Sequence, residues 1–152
     1  SDEMFAWIAG VKPSGSVQLN THLAVIAQQI PPGSLLLVIS DWWADNLESA
    51  LLATSAKGHH LVALHIETPE EQDPSLMGDG LFKFVDSETG ESVDVVLDTS
   101  TLASYAASYS ARVERLRAQI VKNGGHYVSA VAGISTPRDL FLSTLRSSGI
   151  VG

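Results

Sequence analysis

Residues 34–43 read Ser-Leu-Leu-Leu-Val-Ile-Ser-Asp-Trp-Trp, five consecutive apolar side chains running straight into a hydroxyl and a carboxylate. Leu35 to Ile39 is too short a run for a lone surface helix. It suits a strand covered on both faces, as in a parallel α/β sheet. In open α/β sheets, ligands lie in the crevice beyond the carboxyl ends of the strands, which makes Asp41 a candidate metal or ligand group. An aspartate at a strand end also serves simply to cap the turn that follows, and spacing alone does not separate the two roles.

The surrounding pattern supports a sheet of that kind. Leu19, Leu23, Ile26 and Ile30 recur at helical spacing up to Pro31-Pro32-Gly33, which predicts a helix leading into the strand. Asp45-Asn46-Leu47-Glu48 reads as a capping box opening a helix with Leu47, Leu51 and Leu52, which stops at Lys57-Gly58. A second apolar strand, Leu61 to Ile66, follows His59-His60, and helix–strand–helix–strand at this spacing is the crossover pattern of a parallel sheet. Glu70, Glu71, Asp73 and Asp79 form an acidic loop, read as a solvated one. Leu81–Val85 and Val93–Leu97 make a hairpin around the polar tip 86–91. The longest helix starts at Thr99–Thr101 and carries Leu102, Tyr105, Tyr109, Val113, Leu116 and Ile120 on one face, so both tyrosines are expected to pack. A strand over Tyr127–Val131 and a last helix from Thr136-Pro137 complete the chain, and a short helix over Glu3–Ala9, with Met4, Phe5 and Ile8 on one side, begins it.

Length and charge exclude several function classes. The 152 residues are one domain's worth, able to bury a core. A net charge of -8, from nine Lys and Arg against 17 Asp and Glu, leaves too few cations to track phosphates, so nucleic acid is not the expected partner. Without cysteine there is no disulfide frame, thiolate zinc site or cysteine nucleophile, which permits a cytoplasmic setting. No apolar run approaches the roughly 20 residues of a membrane helix, so no membrane segment is expected. A mean hydropathy of +0.16 is high for a small domain and points to apolar surface that meets another chain or a missing segment.

No Gly-x-Ser-x-Gly elbow, phosphate loop or His-Glu-x-x-His helix occurs. His22, His59, His60, His65 and His126 are read as core or surface histidines, since adjacent His59 and His60 in extended chain face opposite ways. What remains is oxygen chemistry at the top of the sheet, from Asp41 and the hydroxyl of Ser16. Hard cations such as magnesium take oxygen ligands of this type, with the remaining positions filled by water or by other groups.

The order Ile39-Ser40-Asp41-Trp42-Trp43, the helix to Gly58, Val62-Ala63-Leu64-His65-Ile66, Pro69 with Glu70 or Glu71, residues 86–91, and Gly124-Gly125-His126-Tyr127 resembles the second half of the domain of unknown function 58 family. That resemblance covers nearly the whole chain from about Gly15. It implies a von Willebrand factor A-like, Rossmann-like fold: a partial doubly wound parallel sheet flanked by helices, with an inserted β-hairpin. It further implies a metal-ion-dependent adhesion site built from an Asp-x-Ser-x-Ser turn, a Gly-Thr threonine and an aspartate after the next strand. Asp41 matches that aspartate, and Gly15-Ser16 matches the Gly-Thr pair with serine for threonine. The Asp-x-Ser-x-Ser turn has no counterpart here, so the chain reads as a half-domain, residues 1–152, excerpted from a larger protein. The function implied is a protein-interaction module, holding Mg2+ when complete, that works with a MoxR-type AAA+ ATPase on client proteins. The alternatives are a metal-dependent α/β hydrolase and a purely structural domain. The bare apolar strand is expected to make the isolated piece a homodimer.

Overall fold

In the computed structural model, residues 2–12, 18–86, 89–136, 138 and 146 are described. The elements are α1 (Asp2–Gly10), α2 (Leu19–Gln29), β1 (Leu35–Ser40), α3 (Glu48–Ala56), β2 (His60–Glu67), α4 (Pro69–Gln72), β3 (Gly80–Val85), β4 (Ser92–Leu97), α5 (Thr99–Lys122) and β5 (His126–Val131), with a 3₁₀ turn over Pro74–Met77. The α/β class and the inserted hairpin are as the sequence predicts. The last helix, from Pro137, lies outside the described residues.

β1, β2 and β5 form a parallel sheet in that order, with Leu36 level with Leu61, Ser40 with His65, and His65 with Ser129. Strand side chains alternate between faces, and one face of this sheet carries the core. Leu36, Leu61 and Ala63 meet Leu23 from α2, Leu47, Ala50 and Leu51 from the α3 segment, and Leu116 and Ile120 from α5. β3 and β4 make a separate antiparallel pair from Gly80↔Leu97 to Val85↔Ser92.

Buried polar groups tie the layers together. Ser34 N–H donates to His59 Nδ1 at 3.2 Å, so the ring proton sits on Nε2, which is 2.9 Å from the Ala27 carbonyl it donates to. His59 is thus a core bracket between α2 and the start of β1, while His60 faces out, as the alternation predicts. At the other end of β2, Thr68 and Glu71 form a reciprocal capping box on α4, so one acid of the expected solvated loop is in fact a helix-start group. Asp98 caps α5: its carboxylate accepts from the Thr101 N–H and the Ser100 hydroxyl, which hold it below the usual carboxylate range.

Three expectations are corrected. β1 is not covered on both faces. Leu36 is 7% exposed but Leu37 is 53%, because α2, α3 and α5 all pack on one face and Leu35, Leu37 and Ile39 share the other. The capping box expected at Asp45-Asn46-Leu47-Glu48 does not form. Asn46 adopts a left-handed φ of 57°, Leu47 is the N-cap, and no side chain caps it. The loop is held instead by tertiary bonds, among them Asn20 Nδ2 donating to the Asp45 carbonyl at 3.0 Å. On α2 the buried face is Leu23 and Ala27, and Ile26 is exposed.

The asymmetry of β1 has a measurable consequence. Replacing Leu36 by alanine empties a packed position and is expected to lower stability by about 2–5 kcal/mol. The same change at Leu37 is expected to cost within about 0.5 kcal/mol. Urea unfolding of the two single variants of this chain measures the difference, and equal costs would mean that both faces are packed.

Candidate functional site

The C-terminal ends of the three parallel strands carry the chemistry. Asp41 sits immediately after β1, exposed, where the sequence places it. Its Oδ1 accepts from the Ser40 hydroxyl at 3.2 Å and from the Trp43 N–H at 3.1 Å. The side chain therefore caps the turn, and among the described residues its Oδ2 has no donor. Ser16, the second expected metal-ligating residue, lies outside the described residues. Among those described, no three His, Cys, Asp or Glu side chains gather as metal ligands. The described donor set is one carboxylate at the rim, which by itself does not make a magnesium site.

The loop after Asp41 is fixed firmly. Trp42 takes a left-handed φ of 55°, unusual for a bulky side chain. It buries its indole to 1% exposure and donates from Nε1 to the Leu64 carbonyl at 3.3 Å. Its own carbonyl accepts from Ala44 N–H at 2.9 Å and from Arg112 Nη2 at 2.7 Å. Arg112, on α5, lays its guanidinium over the Trp43 ring, 3.5 Å from the centroid. An open cleft of about 1180 Å3 runs between this loop and the middle of α5, Tyr105 to Gln119.

Beneath the rim lies a polar network that the sequence reading does not assemble. Glu67, at the end of β2 and 3% exposed, accepts from Tyr109 on α5 at Oε1 and from Ser129 on β5 at Oε2. His65, two residues earlier on the same face and 2% exposed, has Nδ1 2.7 Å from the Tyr127 hydroxyl and 3.9 Å from Glu67 Oε1. Tyr105 stacks on Tyr109 with centroids 5.7 Å apart and donates to the Glu71 carbonyl at 2.7 Å. The tyrosines pack, as their helical spacing predicts, and each also satisfies a buried or half-buried acceptor. The reading of His65 as a core histidine agrees with its burial. Glu67 was legible only as the end of an apolar strand. A charged residue continuing the inward alternation of Ala63 and His65 was the available signal.

The electrostatics follow from these partners. Burial alone would push the Glu67 carboxyl up, but the hydroxyls of Ser129 and Tyr109, with His65 and Gln72, outweigh it and hold the group below its usual range. Burial is also the main effect on His65 and lowers its pKa, only partly opposed by Glu67 and the Asp41 backbone. Tyr127 is pushed up to about 12, first by burial and then by the Glu67 charge. Both His65 and Glu67 bind protons more weakly in the folded chain than in the unfolded one. The unfolded state therefore takes up more protons as pH falls, and stability is lost on acidification. The loss is expected to begin below about pH 6.5, where unfolded histidine protonates, and to steepen below about pH 4.5 as unfolded glutamate protonates. Urea midpoints measured from pH 8 to pH 4 should show both phases, with the upper one missing in His65→Gln and the lower one reduced in Glu67→Gln. A profile unchanged in either variant would exclude that residue as its source.

No described helix is long and apolar enough to cross a membrane. No curated protein and no solved structure matches the chain. A family model does match, over residues 2–116, which take in β1, the Asp41 rim, β2 and most of α5. On that match the chain belongs to the family described as Protein of unknown function DUF58.

Proposed function

We propose that this chain is a protein-interaction module, an adaptor that works with a MoxR-type AAA+ ATPase in assembling or remodelling client proteins. In this reading Asp41 supplies one oxygen to a divalent cation, Mg2+, whose other ligands come from outside the described residues, Ser16 among them. The observation that carries it is the rim itself. An exposed carboxylate with one oxygen tied into a rigid turn and the other without a described donor is preorganised to accept a ligand at the carboxyl end of a parallel sheet. The exposed column Leu35, Leu37 and Ile39 adds apolar surface of the kind a partner chain covers, a second copy of this chain included.

A metal-dependent hydrolase is the weaker reading. The histidine closest in register to Asp41 is His65, which is buried with Nδ1 on Tyr127 and so is not open to a substrate at the rim. The expected outcome of calorimetric titration with Mg2+ or Mn2+ is saturable binding that is lost in Asp41→Ala. Equal affinity in both proteins would leave Asp41 as a turn cap and remove the adhesion-site reading. Turnover of a phosphoester such as p-nitrophenyl phosphate, lost in the same variant, would establish the hydrolase instead.

A further inference from the structure

The cleft between the Trp42–Glu48 loop and α5 holds a feature that the rim carboxylate does not explain. Arg112 donates from Nη2 to the Trp42 carbonyl, but its Nη1 is buried without a hydrogen-bond partner among the described residues. An unsatisfied buried donor on a cation is costly, so an acceptor that reached it would recover that cost on binding. The neighbouring wall repeats the theme. Trp42 and Asn46 both hold left-handed φ values, 55° and 57°, in a loop fixed by bonds to Leu64, Arg112 and Asn20. Strain of this kind gathers where a surface is shaped for a ligand. Arg115, one helical turn from Arg112 and exposed, lines the same cleft.

We propose that this cleft binds a single carboxylate carried on a partner polypeptide, an acidic side chain flanked by apolar residues. Arg112 Nη1 takes the carboxylate and Arg115 draws it in from the mouth, while Trp43 and Leu52, both exposed in the cleft lining, take the flanking apolar groups. The other wall decides the charge of the ligand. Asp45 and Glu48 also line the cleft, and they repel a polyanion such as a nucleic acid or an oligophosphate while tolerating one carboxylate held on the α5 side. Trp43 lies over that guanidinium at 3.5 Å, so the indole shifts when an acceptor reaches Nη1, and its fluorescence reports binding.

This inference rests on the reading of the chain as an interaction module and names the chemistry of the partner. It does not need the metal. The test uses the whole chain in EDTA, titrated with acetyl-Leu-Glu-Leu-amide and read by tryptophan fluorescence and calorimetry. The glutamine peptide acetyl-Leu-Gln-Leu-amide and inorganic phosphate are run alongside. The expected result is binding of the glutamate peptide that weakens with salt, with the glutamine peptide and phosphate each at least about tenfold weaker, a 1.4 kcal/mol preference. Arg112→Gln and Arg115→Gln should each weaken it by a similar factor, while Arg117→Gln leaves it unchanged. Arg115 is exposed, so its variant answers even where Arg112→Gln fails to fold. Equal binding of the two peptides, equal or tighter binding of phosphate, no binding at millimolar peptide, or full affinity in Arg115→Gln would overturn the proposal. Binding that requires Mg2+ and is lost in Asp41→Ala would assign the acid to the rim, overturning this site while leaving the metal reading standing.

Discussion

The contact on which the upper half of this structure depends is the Glu67 carboxylate, which takes a hydroxyl from α5 and another from β5 while itself ending β2. Three elements far apart in sequence meet at two oxygen atoms. Burying a carboxylate is expensive unless its lone pairs are satisfied, and here Tyr109 and Ser129 satisfy them with His65 alongside. The group remains ionised because of those donors, and the donors are positioned because it is ionised. Removing one leaves the others with a penalty larger than the bond that was lost. A network of this kind therefore fixes the position of α5 over the sheet more sharply than Leu116 and Ile120 alone, whose apolar contacts tolerate sliding.

Fixing α5 has a consequence at the rim. Tyr105, Tyr109 and Arg112 follow one another along the same helical face, so a helix anchored through Tyr109 also sets Tyr105 on the Glu71 carbonyl and Arg112 on the Trp42 carbonyl. The loop after β1 is thereby tied on one side to β2 through the Trp42 indole and on the other to α5 through Arg112. Asp41 stands at the start of that loop. Its orientation is inherited in part from a buried polar cluster on the next strand, whose His65 reaches the Asp41 backbone.

The three parallel strands, the hairpin and the long helix were legible in the sequence because each follows from a local period. Apolar runs bounded by polar turns mark β1, β2 and β5, and the three- and four-residue spacing of Leu102 to Ile120 marks α5. Asp41 was legible for the same reason, as the first acid after an apolar strand. What was not legible depends on distance. Asp45 and Glu48 carry the spacing of a capping box, but the left-handed Asn46 and the bond from Asn20 override it, and neither is encoded within the four residues concerned. The two-sided burial expected of Leu35 to Ile39 failed for a related reason. Five apolar residues state what the strand prefers, not which helices pack on it. Glu67 and its tyrosine partner are 42 positions apart, and no periodicity connects them.

That division bears on how the candidate site should be understood. The rim carboxylate and the cleft arginine arise from different levels of the structure, one from strand-end chemistry and the other from the docking of a helix. They nevertheless share the Trp42–Trp43 step: Asp41 Oδ1 accepts from the Trp43 N–H, and Arg112 grips the Trp42 carbonyl and stacks on the Trp43 ring. A ligand that moved the Trp43 backbone would pull on both the hydrogen bond that orients Asp41 and the ring that covers Arg112. Coupling between two sites needs a shared element with two arrangements. The Trp42–Trp43 step is an element that both groups touch, through its backbone on the Asp41 side and through its carbonyl and ring on the Arg112 side, placing the two halves of the rim within one dipeptide's reach of each other.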